Sequence, residues 1–501
     1  MINYNASRKS PKLNEIISGA IASILFALLV IVISNNIGVI PINNGVGWDG
    51  TVFTNVIDEI ATGNYTNSDP YRAIRTISFP VIYIVKYFSL SVDIVKAQKY
   101  FNVLIIALAF FFLYLSIAIR DINRINLFLT MITFSLSWGV IVLPVFTPIL
   151  TDHIAIFISC LSIYLWSTGS STGLMIMIAV GVWIMPSSFL IPLSLIAFPA
   201  RYIHYTNLSS KRNNYKIVLL SVISVVIFFI AFYTFKGETI WTGIERHCLD
   251  FKRNITTVLT GDESLLALSI ITLAIFLILS ISITIRIFFV EKEILKASHK
   301  YLGLGIICAL ASFVLIRVIF DFNSGFSGPP LAANLIKQSL SAPAKTWISH
   351  FAYFGPAVVV VYFYLFTNKL NDFPVGVTAC LCGFSFILTI GSESRQWISI
   401  YPIIIFSLGM IELGALCRLV IIVMSLPTLA NIFSLNNTLL SALALNVGLQ
   451  DWQWQEYFGI VGPWMSMTSY FGLVERFFMF AIAITVAAYI DRKISKKRQC
   501  L

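Results

Sequence analysis

The stretch "IISGAIASILFALLVIVISN" (residues 16–35) contains no charged residue and is long enough to cross a bilayer as one helix. A basic segment precedes it, and no small-residue cleavage site of a signal peptide follows it, so we expect it to stay as the first membrane helix with the N-terminus in the cytoplasm. The whole chain has the same character: it is 58% hydrophobic and 11% charged, with a mean hydropathy of +0.86. Such a composition leaves too little polar surface for a soluble globule, and it predicts an all-α, polytopic membrane protein.

The net charge of +11 has to be interpreted in that context. In a soluble protein it would favour a nucleic-acid partner, but here the basic residues lie in short loops between apolar runs, where they report orientation. Nucleic acid is therefore excluded as a partner, and both termini are predicted to be cytoplasmic. The basic clusters that fall on one side are Arg120 and Arg124; Arg201, Lys211, Arg212 and Lys216; Lys292, Lys296 and Lys300; and Arg492, Lys493, Lys496, Lys497 and Arg498.

Between the first span and the next, Phe101 to Ile119, the sequence predicts one long external loop over residues 35–99. Within it, "FPVIYIVKYFSL" (residues 79–90) is too short to cross and is interrupted by Lys86, so we interpret it as an amphipathic helix lying in the interface. The alternative, a short crossing here, would send the first basic cluster outside.

Hydropathy predicts about 11 to 14 spans in total. The remaining loops are too short to fold separately, so residues 1–501 are predicted to form one membrane domain. The later predicted spans are Leu127 to Phe146, Ile154 to Trp166, a helical hairpin turning at Pro186, and segments near 217–235, 265–289, 302–320, 351–367, 374–391, 398–415, 418–434 and 472–490.

Three residues near the outer ends of early spans are candidates for catalysis. In "GWDG", Asp49 follows Trp48, and partial desolvation by aromatic neighbours would keep its pKa useful for proton abstraction; the alternative is a helix or turn cap. In "TPILTDHIAIF", Asp152 and His153 emerge on the same side, where the alternatives are a helix cap and an interfacial histidine. Because ionisable residues at membrane depth are costly and usually functional, we expect Asp49, Asp152 and His153 to share a catalytic site.

A candidate phosphate ligand lies in "IGSESRQWISIYP" (residues 390–402), a loop so short that Glu393 and Arg395 must lie at the outer surface. Arginine can bind a phosphate through two parallel hydrogen bonds, and Trp397 could line the path of a lipid tail. The alternative is a snorkelling Arg395 paired with Glu393.

Further cations occur in two other external segments. Arg72 and Arg75, together with Tyr71, form a second candidate anion clamp, and Lys345 is a weaker candidate in "NLIKQSLSAPAKTWISH".

The segment "LQDWQWQEYFGIVGPWMSMTSYFG" (residues 449–472) is rich in aromatic residues and amides, which suits stacking on sugar rings and hydrogen bonding to hydroxyls. The alternative is an interfacial aromatic belt. The predicted sugar and acceptor ligands are Trp48, Tyr71, Glu393, Trp397, Trp452, Gln453 and Trp454.

The arrangement resembles the GT-C superfamily of integral-membrane glycosyltransferases. The matching features are an acidic residue after the first helix ("GWDG"), an interfacial helix preceded by "YRAIRTISFP", and a second acidic site at "TDHI". The resemblance covers residues 1–235, the part corresponding to the catalytic module, whereas residues 236–501 would hold variable C-terminal spans and loops. It is greatest to bacterial enzymes that decorate O-antigen and other surface glycopolymers, including serotype-converting glucosyltransferases.

The resemblance implies a polyprenyl-phosphate-linked sugar donor, a glycan or lipid-linked glycan acceptor, and a bacterial inner-membrane location with a periplasmic active site. Asp49 would be the base of an inverting transfer, Arg395 with Arg72 or Arg75 would bind the donor phosphate, and Asp152 and His153 would orient the acceptor or share the proton. No metal ligands are predicted, because the seven cysteines lack zinc spacing and no Asp-x-Asp occurs, and a requirement for a divalent metal stays open.

Two other functions stay open. A transporter or flippase for a lipid-linked or anionic substrate also needs many spans, although most charged residues here lie at the outer surface and few at mid-membrane, Arg317 being the main exception. A glycan-repeat polymerase would use two lipid-linked substrates and would need a large external loop with several arginines. The 435–471 loop contains none.

Overall fold

The computed structural model describes residues 10–65, 70–120, 122–185, 187–198, 263–290, 299–320, 338–367 and 373–499, together with Ile223 and Leu335. Within these residues the chain forms helices and no β-strand, which confirms the all-α prediction. The predicted span near 217–235 lies outside the described residues, apart from Ile223.

The described residues form the following helices. They are α1 Leu13–Ile37, α2 Trp48–Ala61, α3 Pro70–Arg75, α4 Pro80–Tyr87, α5 Ile94–Ala118, α6 Arg124–Ser135, α7 Trp138–Ile141, α8 Leu143–Phe146, α9 Asp152–Ser167, α10 Ser171–Ile184, α11 Leu190–Ala197, α12 Glu263–Val290, α13 His299–Phe320, α14 Lys345–Phe354, α15 Ala357–Phe366, α16 Val375–Ile390, α17 Tyr401–Met410, α18 Ala415–Ser425, α19 Leu435–Leu445, α20 Trp452–Phe458 and α21 Met467–Gln499, with 3₁₀ segments at Asn43–Gly45, Thr76–Ser78, Ser394–Ile400, Leu426–Leu429 and Gly462–Trp464.

Five helices in the described part of the chain are long and apolar enough to cross a membrane. They are Leu13–Ile37, Ile94–Ala118, Ala267–Ile285, Tyr301–Ile319 and Met467–Ile494. Shorter apolar helices of 10–17 residues account for much of the remaining hydrophobic sequence. The total of 11 to 14 spans stays a prediction.

The predicted span from Leu127 to Phe146 is a bent pair of helices, because Arg124–Ser135 and Trp138–Phe146 meet at an angle of 74°. Helix α6 ends at Ser135. Ser137, two residues later, has an extended backbone, and its hydroxyl donates a hydrogen bond to the carbonyl oxygen of Tyr353 in α14 (3.2 Å). Similarly, the predicted span 351–367 is interrupted at Gly355, which has a φ of +79° between α14 and α15.

The segment 35–99 contains α2, α3 and α4. In α4 the side chains of Ile82 and Val85 are buried while Ile84 and Tyr87 are exposed, which is the pattern expected of an amphipathic helix. A small apolar core joins α2 and α4 to the start of α5 and to the chain before α9; its buried members are Phe53, Ile57, Phe79, Ile82, Val95 and Ile149. This core holds the N-terminal turn of α2 beside that of α9.

The main core surrounds α5, which packs along α1 and α9. The 3₁₀ segment Ser394–Ile400 lies against α9, α14 and α16. The segment predicted as an external loop, 435–471, contains α19 and α20, and these helices pack against each other. Residues from opposite ends of the sequence are thereby brought to one cavity.

Candidate functional site

A cavity of about 660 Å³ lies where α2, α3, the 3₁₀ segment Ser394–Ile400 and α20 converge. Among the residues that line it are the predicted ligands Trp48, Asp49, Arg72, Arg75, Glu393, Arg395 and Trp397, and it is also lined by Trp138, Thr151, Tyr353, Gln396, Tyr457, Phe458 and Trp464. A volume of this size is typical of small-molecule sites in proteins.

Arg395 lies between two carboxylates that come from different helices. Its Nη2 donates a hydrogen bond to Asp49 Oδ2 (2.7 Å), and its Nε lies 3.7 Å from Asp152 Oδ1. Asp49 and Asp152 each occupy the first turn of their helix, where the helix dipole favours negative charge. Since Asp49 and Arg395 are 346 residues apart, only the packing of the helices creates this pair.

Neither aspartate acts as the helix cap that the sequence left open. The N-cap of α2 is Gly47, with φ +77°, and the N-cap of α9 is Thr151; neither N-terminus has a side-chain cap hydrogen bond. The Asp49 carboxylate instead accepts its hydrogen bond from Arg395.

The environments of the two aspartates shift their pKa values in opposite directions. Burial raises the pKa of Asp49, but the positive charge of Arg395, its hydrogen bond and the two arginines of α3 lower it by more, so the net shift is downward. Asp152 precedes the apolar run of α9 and is 2% exposed; burial raises its pKa to about 6, against the opposing charge of Arg395. Desolvation is thus the largest single contribution to the pKa of Asp49, but the arginines together outweigh it.

The arginines of α3 add positive charge at the mouth of the cavity. Arg72 Nη2 lies 3.8 Å from Asp49 Oδ1, and both side chains are 36% exposed, so solvent screens this contact strongly. Arg75 lines the cavity too. Tyr71 belongs to α3, and its side chain lies outside the described residues.

Glu393 is not the hydrogen-bond partner of Arg395 that the alternative interpretation required. Its carboxylate accepts a hydrogen bond from Gln396 Nε2 (2.6 Å), whereas Arg395 reaches Asp49. Burial raises the pKa of Glu393, with an opposing contribution from Arg395. Glu393 thus contributes a second acidic group to the cavity wall.

The aromatic wall of the cavity joins α2 to α20. The ring of Trp48 lies 5.6 Å from Phe458 and 6.0 Å from Trp454, measured between centroids. Trp454 also stabilises the local fold, since its Nε1 donates a hydrogen bond to the carbonyl oxygen of Val447 (3.1 Å). Trp397 lines the cavity from the 3₁₀ segment Ser394–Ile400.

Several buried polar atoms next to the cavity have no hydrogen-bond partner within the described part of the chain. They are Asp152 Oδ1, Arg395 Nε, Tyr353 Oη and Trp397 Nε1. Buried polar groups are normally paired, so such a cluster is typical of a site that exchanges hydrogen bonds with a ligand or with water.

The other predicted ligands lie outside the lining of this cavity. His153 is buried in the first turn of α9, at 1% exposure. Lys345 is buried at the start of α14, where burial lowers its pKa to about 8. Gln453 is buried in α20, and Trp452 faces a different cavity.

Sequence reasoning missed one residue that shapes the site, Tyr353, and gave His350 in "NLIKQSLSAPAKTWISH" only as a weak candidate. Tyr353 lines the cavity from a segment whose hydropathy predicted only a span. His350, one turn earlier on α14, holds the loop that carries Arg395: its Nδ1 lies 2.8 Å from Ser394 Oγ, and its Nε2 lies 2.9 Å from the carbonyl oxygen of Leu388. A carbonyl only accepts, so Nε2 carries the proton and Nδ1 accepts from Ser394.

Among the residues that the structure describes, no group of three or more His, Cys, Asp or Glu side chains is arranged to hold a metal ion. Comparisons of the chain with protein-family models, with curated proteins and with solved structures found no match.

Proposed function

We propose that the protein is a membrane glycosyltransferase that transfers a sugar from a polyprenyl-phosphate donor to a cell-surface, O-antigen-like glycan on the periplasmic face of a bacterial inner membrane. The observation that carries the proposal is the position of Arg395, held between Asp49 and Asp152 in a cavity that also contains Arg72 and Arg75. The GT-C-like layout of "GWDG", "YRAIRTISFP" and "TDHI" supports the same reaction.

The guanidinium groups of the cavity can bind an anionic ligand. Three guanidinium groups line the cavity against the carboxylates of Asp49 and Glu393. A donor phosphodiester can replace Asp49 at the guanidinium of Arg395, because arginine binds phosphate and carboxylate with the same geometry. Arg395 would then stabilise the negative charge that develops on the phosphate as the sugar leaves.

Asp49 is the proposed base. Its side chain is 36% exposed at the cavity, and its lowered pKa keeps it ionised at neutral pH. The acceptor hydroxyl would give its proton to Asp49 while its oxygen bonds to the anomeric carbon. The bond from that carbon to the phosphate oxygen breaks on the opposite face, its electron pair leaves with the phosphate, and the configuration inverts. When Arg395 moves from Asp49 to the donor phosphate, the pKa of the Asp49 carboxylate would rise, which makes it a stronger base for the acceptor hydroxyl.

Asp152 is proposed as a positioning residue. It is buried, is not part of the cavity lining, and lies next to Arg395 Nε, so it can hold the guanidinium plane without touching the sugar. No role is proposed for His153 beyond packing beside it.

The direct test is sugar transfer by Asp49→Asn in membranes supplied with a polyprenyl-phosphate sugar and a glycan acceptor. General-base catalysis contributes about 10² to 10⁴ in rate, so activity should fall by at least about 10² with the protein still folded. The matched control is Asp58→Asn on the same helix, where the carboxylate pairs with Lys86 away from the cavity. Near-normal product from Asp49→Asn would overturn the assignment. Movement of the lipid across vesicles without covalent transfer would support the transporter alternative.

The proposed orientation has its own test. Cysteine placed at Thr62, in the segment between α2 and α3, should react in intact cells with a maleimide that cannot cross membranes, and cysteine at Arg124 should react only after permeabilisation. The unsubstituted chain measures the background of its native cysteines. Labelling at position 124 in intact cells would show that the orientation is the opposite of the proposed one.

A further inference from the structure

A second cavity, of about 350 Å³, lies on the other face of α20. Trp452, Gln455 and Glu456 line this second cavity, while Tyr457 and Phe458 line the site described above. Residues three and four apart share a helix face, so α20 presents a mixed aromatic and polar face to the second cavity and the aromatic pair Tyr457 and Phe458 to the first. One short helix thus forms a wall of both cavities.

The second cavity is built by an ordered hydrogen-bond network centred on Gln455. Its Nε2 donates to the carbonyl oxygens of Leu449 (2.9 Å) and Trp464 (3.1 Å), and its Oε1 accepts from the backbone N–H of Ser466 (2.8 Å) and from Ser469 Oγ (3.0 Å). The Gln455 amide thus makes two donated and two accepted hydrogen bonds, which hold the walls of the second cavity in place. Contacts with a ligand are then made by the neighbouring side chains.

The neighbouring side chains offer several kinds of hydrogen bond next to an exposed aromatic face. Trp452 lines the cavity with 65% of its surface exposed. Glu456 Oε2 accepts from Asn431 Nδ2 (2.6 Å). Arg476 lines the same cavity, and within the described residues no hydrogen bond or ion pair engages its guanidinium.

We infer that this second cavity binds uncharged sugar residues of the acceptor glycan, beyond the residue that reacts near Asp49. A large aromatic face beside amide, hydroxyl and carboxylate groups matches a sugar ring, which has apolar faces and a rim of hydroxyls. One carboxylate and one guanidinium give this cavity no net charge, in contrast to the arginine-rich site on the other face of α20, so its ligand is a neutral polyol and not a phosphate.

The inference rests on the proposed function, because it assigns the second cavity to that reaction's acceptor. Trp138 lines both cavities, and a helix with its side chains is about 10 Å across, a distance that a glycan of several residues can span. The enzyme would therefore distinguish long acceptors from short ones.

The kinetic test compares acceptor lengths. Trp452→Ala should raise KM at least several-fold for a long glycan acceptor while leaving kcat, the KM of the lipid-linked donor and the KM of a monosaccharide acceptor unchanged; Trp452→Phe should restore most of the lost affinity. Tyr87→Ala removes another largely exposed aromatic ring, one outside the lining of both cavities, and serves as the matched control. An unchanged KM for the long acceptor, or an equal rise for the monosaccharide, would overturn the inference.

A binding measurement separates failure of this inference from failure of the proposed function. Surface polysaccharide released by mild acid from the source organism is titrated into the purified full-length protein in detergent, and the heat of binding is recorded. Saturable binding that Trp452→Ala weakens supports the second site even if no transfer occurs. Transfer by the wild type together with binding that Trp452→Ala leaves intact would reject the second site and keep the enzyme.

Discussion

Two arginines in this protein occupy very different surroundings. Arg395 is 27% exposed beside a cavity and faces carboxylates. Arg418 is 2% exposed, and its guanidinium donates to Thr130 Oγ1 (3.0 Å) and to the carbonyl oxygens of Leu408 (3.2 Å) and Ile411 (2.8 Å). No carboxylate pairs with Arg418 among the residues that the structure describes.

Because of this difference, Arg395 can exchange its carboxylate partner for a ligand, whereas Arg418 supports the fold. The partners of Arg418 are the end of α17 and a side chain of α6, and no mobile ligand can replace them. The Asp49 partner of Arg395 is a half-exposed carboxylate, for which a phosphate is a chemical equivalent. Burial alone therefore does not identify a functional arginine; the nature and exposure of its partners do.

Of the variants that compare these arginines, Arg395→Ala is expected to have the largest effect on activity. Removing a charge that stabilises the leaving phosphate typically costs about 10² to 10³ in kcat. The yield of folded protein should stay near that of the wild type, because the contact of Arg395 with Asp49 is partly exposed to solvent. Arg395→Lys should recover only part of the activity, since lysine loses the bidentate geometry. Wild-type turnover by Arg395→Ala would show that Arg395 does not bind the donor phosphate, and the functional difference proposed between Arg395 and Arg418 would be wrong.

Arg418→Met should act in the opposite way, on folding. The variant leaves buried carbonyl groups at the end of α17 without a donor, at a cost of about 1–3 kcal/mol for each unsatisfied group. We expect a lower melting temperature and less folded protein by size-exclusion chromatography, with a normal KM for the donor in the fraction that folds. A selective loss of donor affinity at unchanged stability would contradict a supporting role.

The pH dependence of donor binding should report Asp152. Its pKa of about 6 lies above the ordinary value of 3.8, so the carboxyl is neutral below pH 6 and charged above it. Below pH 6 the guanidinium of Arg395 has one fewer counter-charge, and the donor KM should be several-fold lower at pH 5 than at pH 7.5. Asp152→Asn should keep the low value at both pH values. A profile that Asp152→Asn does not alter would exclude this coupling.

The smallest effect is expected from His350→Ala, which frees the loop carrying Arg395. A hydrogen bond contributes about 1 kcal/mol, so the donor KM should rise about fivefold while kcat changes little. Ser394→Ala, which removes the partner hydroxyl, should act in the same direction, and the double variant should be less than additive because both changes break one contact. Additive effects would show that the two residues act independently.

Much of the local structure follows from the sequence. The predicted span at residues 265–289 agrees with the helix Glu263–Val290 within a few residues, and the apolar run at 374–391 forms the shorter helix Val375–Ile390. The amphipathic character of α4 and the identities of Asp49, Arg72 and Arg395 as candidate ligands also came from residue types and spacing. These properties depend on short stretches of chain.

Only the tertiary structure decided which of those residues meet. Hydropathy does not show which helices are neighbours, so the contact of Asp49 with Arg395, the direction of the pKa shift of Asp49 and the exclusion of Lys345 from the cavity lining could not be predicted. The bend between α6 and α7, where Ser137 donates a hydrogen bond to Tyr353, 216 residues away, likewise could not be predicted. Helices form from local periodicity and composition, whereas a charged site forms from long-range packing that brings the ends of several helices to one level.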